Sequence, residues 1–198
     1  MKVIGLTGPI GAGKDEVARI LRKRGAAIID ADRVAHTLYS TQSPAWHALV
    51  KAFGSKILNR GGAVNRKKLA SIVFSDKSKL LELNKIVHPV LKEAIVHAVE
   101  DYRLQTTDRR PLIVINAAVL KEIGLADYVD EVWVVMASKE LRLKRLIKAG
   151  LPKAEALRRI NFQMAQNEYL NMADVVINNN GTIKQLRNKV EITSTTLR

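Results

Sequence analysis

Between the apolar run Val3-Ile4-Gly5-Leu6 and a stretch carrying Val17, Ile20 and Leu21 at i, i+3, i+4 lies Gly8-Pro9-Ile10-Gly11-Ala12-Gly13-Lys14. A short buried strand, a glycine-rich turn and a lysine opening a helix leave few folds open to the chain. Glycines admit positive φ and bring the main chain close to a ligand, so successive N–H groups can converge on phosphate oxygens. The following helix adds the positive end of its dipole. Lys14 is then placed to reach the β- and γ-phosphates of a nucleotide. Gly8, Gly11, Ala12, Gly13 and Lys14 are the expected phosphate-binding positions, with Asp15 and Glu16 in the first helical turn, and Gly25 is placed to end the helix.

This pattern is that of a P-loop, in which the residue after the lysine is normally Ser or Thr, with a hydroxyl that binds Mg²⁺. Here it is Asp15. A carboxylate ligates Mg²⁺ well, yet it also brings negative charge toward the phosphates. Three readings stand: Asp15 binds the metal directly, it acts through a water, or the site has lost efficient catalysis.

The 198 residues, 47% of them hydrophobic, suffice for one well-buried core and an inserted subdomain. Without cysteine, disulfide and thiolate chemistry are excluded. The first strand begins within a few residues of Met1 and no apolar run approaches membrane-spanning length, so a cytoplasmic protein without membrane partners is expected. The net charge of +14 implies polyanionic partners, or a tendency to bind them nonspecifically, with nucleotides, CoA-like molecules and nucleic acids all qualifying. Basic residues gather at Arg66-Lys67-Lys68, at Arg109-Arg110 and from Lys139 to Arg159, which holds eight Lys or Arg against two Glu. A solvated helix face accounts for many of them. Aromatic residues are too few for a single-strand stacking platform, and no specific nucleic-acid partner is expected.

Ala27-Ile28-Ile29 reads as a second strand leading into Asp30-Ala31-Asp32, carboxylates at the strand end where α/β sheets bind ligands. From about Arg33 to Arg103 helical periodicity takes over, with Pro89 expected to open a helix from Val90 to Arg103. Leu112 to Ile115, Val132 to Val135 and Val175 to Ile177 restore buried strands. Ser138 is a candidate N-cap, Pro152 starts a basic helix running toward Gln166, and Thr182 with Gln185 forms a capping box. The order predicts an α/β protein with a doubly wound parallel sheet, interrupted by a helical insertion; the P-loop kinase type follows only from the resemblance given next. We expect a single domain over 1–198, its core about 1–32 and 111–198, the insertion about 33–110 and a lid about 145–168.

Leu6-Thr7-Gly8 through Lys14, Ile29-Asp30-Ala31-Asp32, His88-Pro89, Arg159-Ile160 with Gln163, and Ala173 through Gly181 resemble the ordered motifs of the dephospho-CoA kinases. Phe53-Gly54, Asn65 to Leu69 and Ile72-Val73-Phe74 resemble them too, so the likeness spans Val3 to about Val190. It implies ATP-dependent phosphorylation of the ribose 3′-hydroxyl of dephospho-CoA, with ATP and Mg²⁺, or Mn²⁺, at the P-loop. The insertion would hold the substrate, and a basic lid would close over the phosphates. Asp32 is implied to accept or orient the proton of the attacking hydroxyl, its other reading being a helix N-cap. Lys14 and Arg159 would stabilise the transferring phosphoryl, with Arg142 and Arg145 as further lid candidates. His88 is implied either to touch substrate or to serve structure. Asn178 and Gly181 resemble the loop beside the adenine, and a monomer or small homo-oligomer is expected.

The chain departs from the family pattern at Asp15, at Asn116-Ala117-Ala118-Val119, where a proline usually precedes paired leucines, and at Lys148-Ala149-Gly150, which lacks an Arg-Asp pair. Two other functions fit the residues: another P-loop kinase acting on a nucleotide or small hydroxyl compound, and a nucleotide-binding homologue with weakened catalysis.

Overall fold

The computed structural model describes residues 1–73, 76–109 and 111–195; Phe74 and Arg110, used above, lie outside them. In chain order the elements are β1 (Lys2–Thr7), α1 (Lys14–Lys23), β2 (Ala27–Asp30), α2 (Ala31–Leu38), α3 (Pro44–Phe53), a 3-10 turn (Ser55–Ile57), α4 (Arg66–Val73) and α5 (Lys77–Gln105). There follow β3 (Leu112–Asn116), β4 (Glu131–Met136), α6 (Lys139–Lys148), α7 (Lys153–Phe162), α8 (Gln166–Asn171), β5 (Val175–Asn178) and α9 (Ile183–Thr195). By contact the chain divides into two compact units, Met1–Ile29 with Asp101–Arg198, and Asp30–Glu100.

In the first unit the sheet order is β2-β3-β1-β4-β5. β1 runs parallel to both β3 and β4, with Gly5 opposite Ile115 on one side and Val132 on the other, and β4 runs parallel to β5. The chain therefore winds outward from β1 first in one direction and then, after β3, in the other. Such a reversal opens a crevice at the carboxyl ends of the central strands, where doubly wound sheets bind ligands. β1, β3 and β4 are almost wholly buried, as their unbroken apolar runs require of central parallel strands. Ile4, Leu6, Val114, Trp133 and Val135 pack with Val17, Ile20 and Leu21 of α1 and Leu186 and Val190 of α9. Burying these side chains is the main stabilising contribution, each worth roughly 1.5–3 kcal/mol.

Strand and helix ends are closed by polar bonds, some between distant segments and some within one turn. Asp130 accepts from the Val3 amide at 2.6 Å and Asp174 from the Val132 amide at 2.7 Å. Ser138 caps α6 through the Leu141 amide at 3.3 Å, and α1 closes with the Gly25 and Ala26 amides on Arg22 and Leu21. The Thr182–Gln185 capping box forms in both directions, 2.8 Å and 3.3 Å.

In the second unit the helical periodicity is present as expected, with one difference. The α5 helix runs unbroken from Lys77 to Gln105 with Pro89 inside it, so the proline does not open a separate helix. A proline in a helix interior removes one hydrogen bond and crowds the preceding turn, at a cost of roughly 3 kcal/mol. Val87, Leu91, Ile95 and Val99 form an i, i+4 stripe, all buried, on both sides of that position, and their packing offsets the local penalty. The basic helix begun at Pro152 likewise ends at Phe162, short of Gln166, because Gln163 turns extended.

Candidate active site

The turn after β1 holds three glycines at positive φ, Gly8, Gly11 and Gly13. Gly8 has φ 148°, and a Cβ there would run into the Val135 carbonyl oxygen. Gly13 has φ 97°, the left-handed conformation, and a Cβ there would strike the Asn179 side-chain amide. Gly13→Ala is therefore expected to cost about 1–3 kcal/mol, seen as a melting temperature lowered by several degrees. A variant that melts with the wild type would show that Asn179 yields freely. No side chain caps the start of α1, so the first-turn amides and the positive end of the helix dipole serve the mouth of the loop.

Polar groups from distant segments tie this turn down. The Ile10 amide donates to Gln163 Oε1 at 2.7 Å, and the Ala12 amide to the Pro9 carbonyl at 3.0 Å. Asn179 Nδ2 donates to the Ala12 carbonyl at 2.7 Å. Arg145 donates to the carbonyls of Gly11 and Ala12, both at 3.2 Å, and to that of Asn179 at 2.8 Å. Arg145, expected as a lid residue, thus grips the loop's carbonyl side. Sequence reasoning missed Asn179, which adjoins the expected Asn178; nothing local separates three consecutive asparagines.

Lys14 has a side chain only 12% exposed. Its Nζ donates to Asn116 Oδ1 at 2.6 Å and to Asp15 Oδ1 at 3.1 Å, while Asn116 Nδ2 donates to the same Asp15 oxygen at 3.1 Å. Asn116 ends β3 and is buried. Partial desolvation pushes the Asp15 carboxyl up, but the Asn116 amide and the Lys14 ammonium outweigh it and hold it below its ordinary value. Asp15 therefore stays ionised through neutral and mildly acid pH. Glu16 is held low by its hydrogen bonds from Arg19.

The remaining expected residues fall in several places. Arg142 is buried in α6; desolvation lowers its pKa, with the Tyr169 phenol opposing, and its Nε has no hydrogen-bond partner among the described residues. Arg159 is half-exposed on α7 and donates to Glu155 at 2.8 Å, as does its neighbour Arg158 to the other carboxylate oxygen. A small cluster of Leu146, Ala156 and Ile160, joined by Ile10, packs α6 and α7 together. The Asn178 carbonyl accepts from Lys189 Nζ at 2.9 Å, and Gly181 leads into the α9 capping box.

Within the second unit, Asp32 is exposed in the first turn of α2, and the N-cap of that helix is Asp30, which accepts from the Arg33 amide at 3.1 Å. Asp32 lines a cavity of about 460 Å³ with Arg33, His36, Thr37 and Arg66. Arg66 bonds His36 Nδ1 at 2.6 Å and lies 5.9 Å from the Tyr39 ring centroid. His88 is half-buried on α5 and is not among the residues that line this cavity. Among the described residues no group of three or more His, Cys, Asp or Glu is placed to hold a metal ion, and no helix is long and apolar enough to cross a membrane.

A glycine loop at the reversal point of an open parallel sheet, with a lysine held at its mouth, defines a protein of the P-loop kinase fold. The dephospho-CoA kinase family matches residues 2–185. A dephospho-CoA kinase of Carboxydothermus hydrogenoformans is 40% identical over 96% of this chain and 91% of its own length, and one of Geobacter sulfurreducens is 40% identical over 96% of both. A crystal structure from Thermus thermophilus superimposes with a TM-score of 0.80 at 28% identity, over 100% of this chain and 98% of the other. The chain belongs to the dephospho-CoA kinase family.

Proposed function

We propose that the protein transfers the γ-phosphoryl group of ATP to the ribose 3′-hydroxyl of dephospho-CoA, giving coenzyme A and ADP. The observation that carries this reading is the family match over residues 2–185, which runs through both compact units and far beyond the loop that many phosphotransferases share. Phosphoryl transfer asks for positioning and for neutralisation of charge on the transferring group. The amides of Gly11, Gly13 and Lys14 and the Lys14 ammonium supply both at the nucleotide, and Gly8, Ala12 and Gly13 shape the turn. Glu16 neighbours it in the first turn of α1, and Asn178 and Gly181 are the candidates to border the adenine.

Asp32 is the candidate to accept or orient the hydroxyl proton. Beside it Arg33 and Arg66 line a basic cavity suited to an anionic substrate, and His88, in the same unit, is a further candidate to contact that substrate. Arg159 is the candidate lid cation, which would exchange Glu155 for phosphate oxygens. Arg142, buried, supports α6 beneath the loop, and Arg145 supports the loop itself.

The residues present fit a divalent cation. Asp15 offers a hard oxygen donor on an 86% exposed side chain whose two hydrogen bonds both fall on Oδ1. Mg²⁺, or Mn²⁺, bound with ATP would neutralise phosphate charge there. Asp15→Ser is expected to retain turnover and to shift the Mg²⁺ and Mn²⁺ dependence; superimposable metal titrations for the two proteins would remove Asp15 from the metal site. A cytoplasmic location suits these substrates.

The test of the whole reading is to supply ATP with a divalent metal and either dephospho-CoA or nucleoside monophosphates, and to identify products by mass. Coenzyme A as the sole phosphorylated product is the expected result. Phosphorylated nucleotides would overturn it in favour of another kinase, and ATP binding without turnover in favour of a binding protein.

A further inference from the structure

We propose that Asn116 is a positioning residue for the nucleotide, setting Lys14 and Asp15 in one arrangement through the two ends of its amide. The inference rests on the reading of the glycine loop as the ATP site and adds a residue from a different strand to it. Lys14 Nζ can only donate, and the ionised Asp15 carboxylate can only accept. The side chain at position 116 must therefore accept from one and donate to the other, which an amide does and neither a carboxylate nor an alkyl group can do. The three bonds, at 2.6, 3.1 and 3.1 Å, close a ring of Lys14, Asn116 and Asp15. Asn116 is 3% exposed and stands at the carboxyl end of β3, so water cannot readily replace it and the strand holds it in register. Its consequence is electrostatic: the ammonium of Lys14 is kept at the loop mouth and is prevented from collapsing onto Asp15 alone, and the Asp15 carboxylate is turned by a neutral donor.

The rule behind the ring is one carboxylate and one amide, whichever position holds which. Three variants test it: N116A, which removes both bonds; N116D, which sets two carboxylates against each other; and the exchange D15N/N116D, which restores a donor facing an acceptor with the net charge unchanged. The readouts are the dissociation constant for Mg-ATP by titration calorimetry, and KM for ATP against KM for dephospho-CoA. Both single variants are expected to weaken Mg-ATP about 10-fold or more, the usual scale for a group that orients a ligating residue. KM for the acceptor should be little changed, and the exchange should bind Mg-ATP more tightly than N116D, while keeping the shifted metal dependence that loss of the Asp15 oxygen donor brings.

A merely structural role would lower the melting temperature and impair both substrates together, and the exchange would not rescue it. Unaltered Mg-ATP binding in N116D, or an exchange variant no better than N116D, overturns the proposal. If N116A does not fold, N116D and the exchange decide alone. Calorimetry on ATP is independent of the acceptor, so wild-type protein inert toward dephospho-CoA would count against the proposed function and leave this test standing.

Discussion

Lys14→Met is expected to lower turnover by about 10²- to 10³-fold, the scale on which one well-aimed donor to developing charge acts in a site of this kind. Methionine matches the lysine stem in length and packs in the same largely buried slot, so the change removes the charge with little loss of volume. It also leaves the Asn116 oxygen and Asp15 without their common cation. The loop amides continue to hold nucleotide, so kcat should fall further than ATP affinity. Steady-state kinetics with dephospho-CoA, read beside the melting temperature, check this. A loss of less than about 10-fold in folded protein would take Lys14 out of transition-state stabilisation.

Asp32→Asn is the second change with a large expected effect. A positioned proton acceptor contributes typically about 10²- to 10⁴-fold, and kcat should fall within that range with KM for ATP nearly unchanged. The substitution is clean because Asp32 does not cap α2; Asp30 does, and it remains. Asparagine keeps the size and polarity of the side chain beside Arg33 and Arg66 while losing the basic oxygen. Asp30→Asn serves as the comparison, since asparagine caps a helix as well as aspartate. Equal turnover in the wild type and Asp32→Asn would exclude Asp32 as the base.

Much of this architecture is legible in local residues. The glycine loop, the apolar strands, the Ser138 cap and the Thr182–Gln185 box each need only a few neighbouring positions to be read, and each forms in the structure. Pro89 misleads because its local penalty is visible in the sequence, whereas the stripe of Val87, Leu91, Ile95 and Val99 that overrides it depends on what those residues pack against. The polar ties of the loop are still less legible. Gln163, Asn179 and Asn116 lie more than a hundred residues from the backbone or side chains they bond, and their residue types are common in turns and strand ends. Asp32 can be singled out from its place after a strand, but its cavity partner Arg66 is brought near only by the fold of α2 against α4.

The ties on the glycine loop also bear on the entropy of nucleotide binding. Gln163, Arg145 and Asn179 bond the Ile10 amide and the Gly11 and Ala12 carbonyls from within the fold. Folding has thus already met the ordering cost that a slack glycine-rich segment, with its large conformational freedom, would otherwise charge against ATP. More of the attraction between phosphate and backbone amides then appears as affinity.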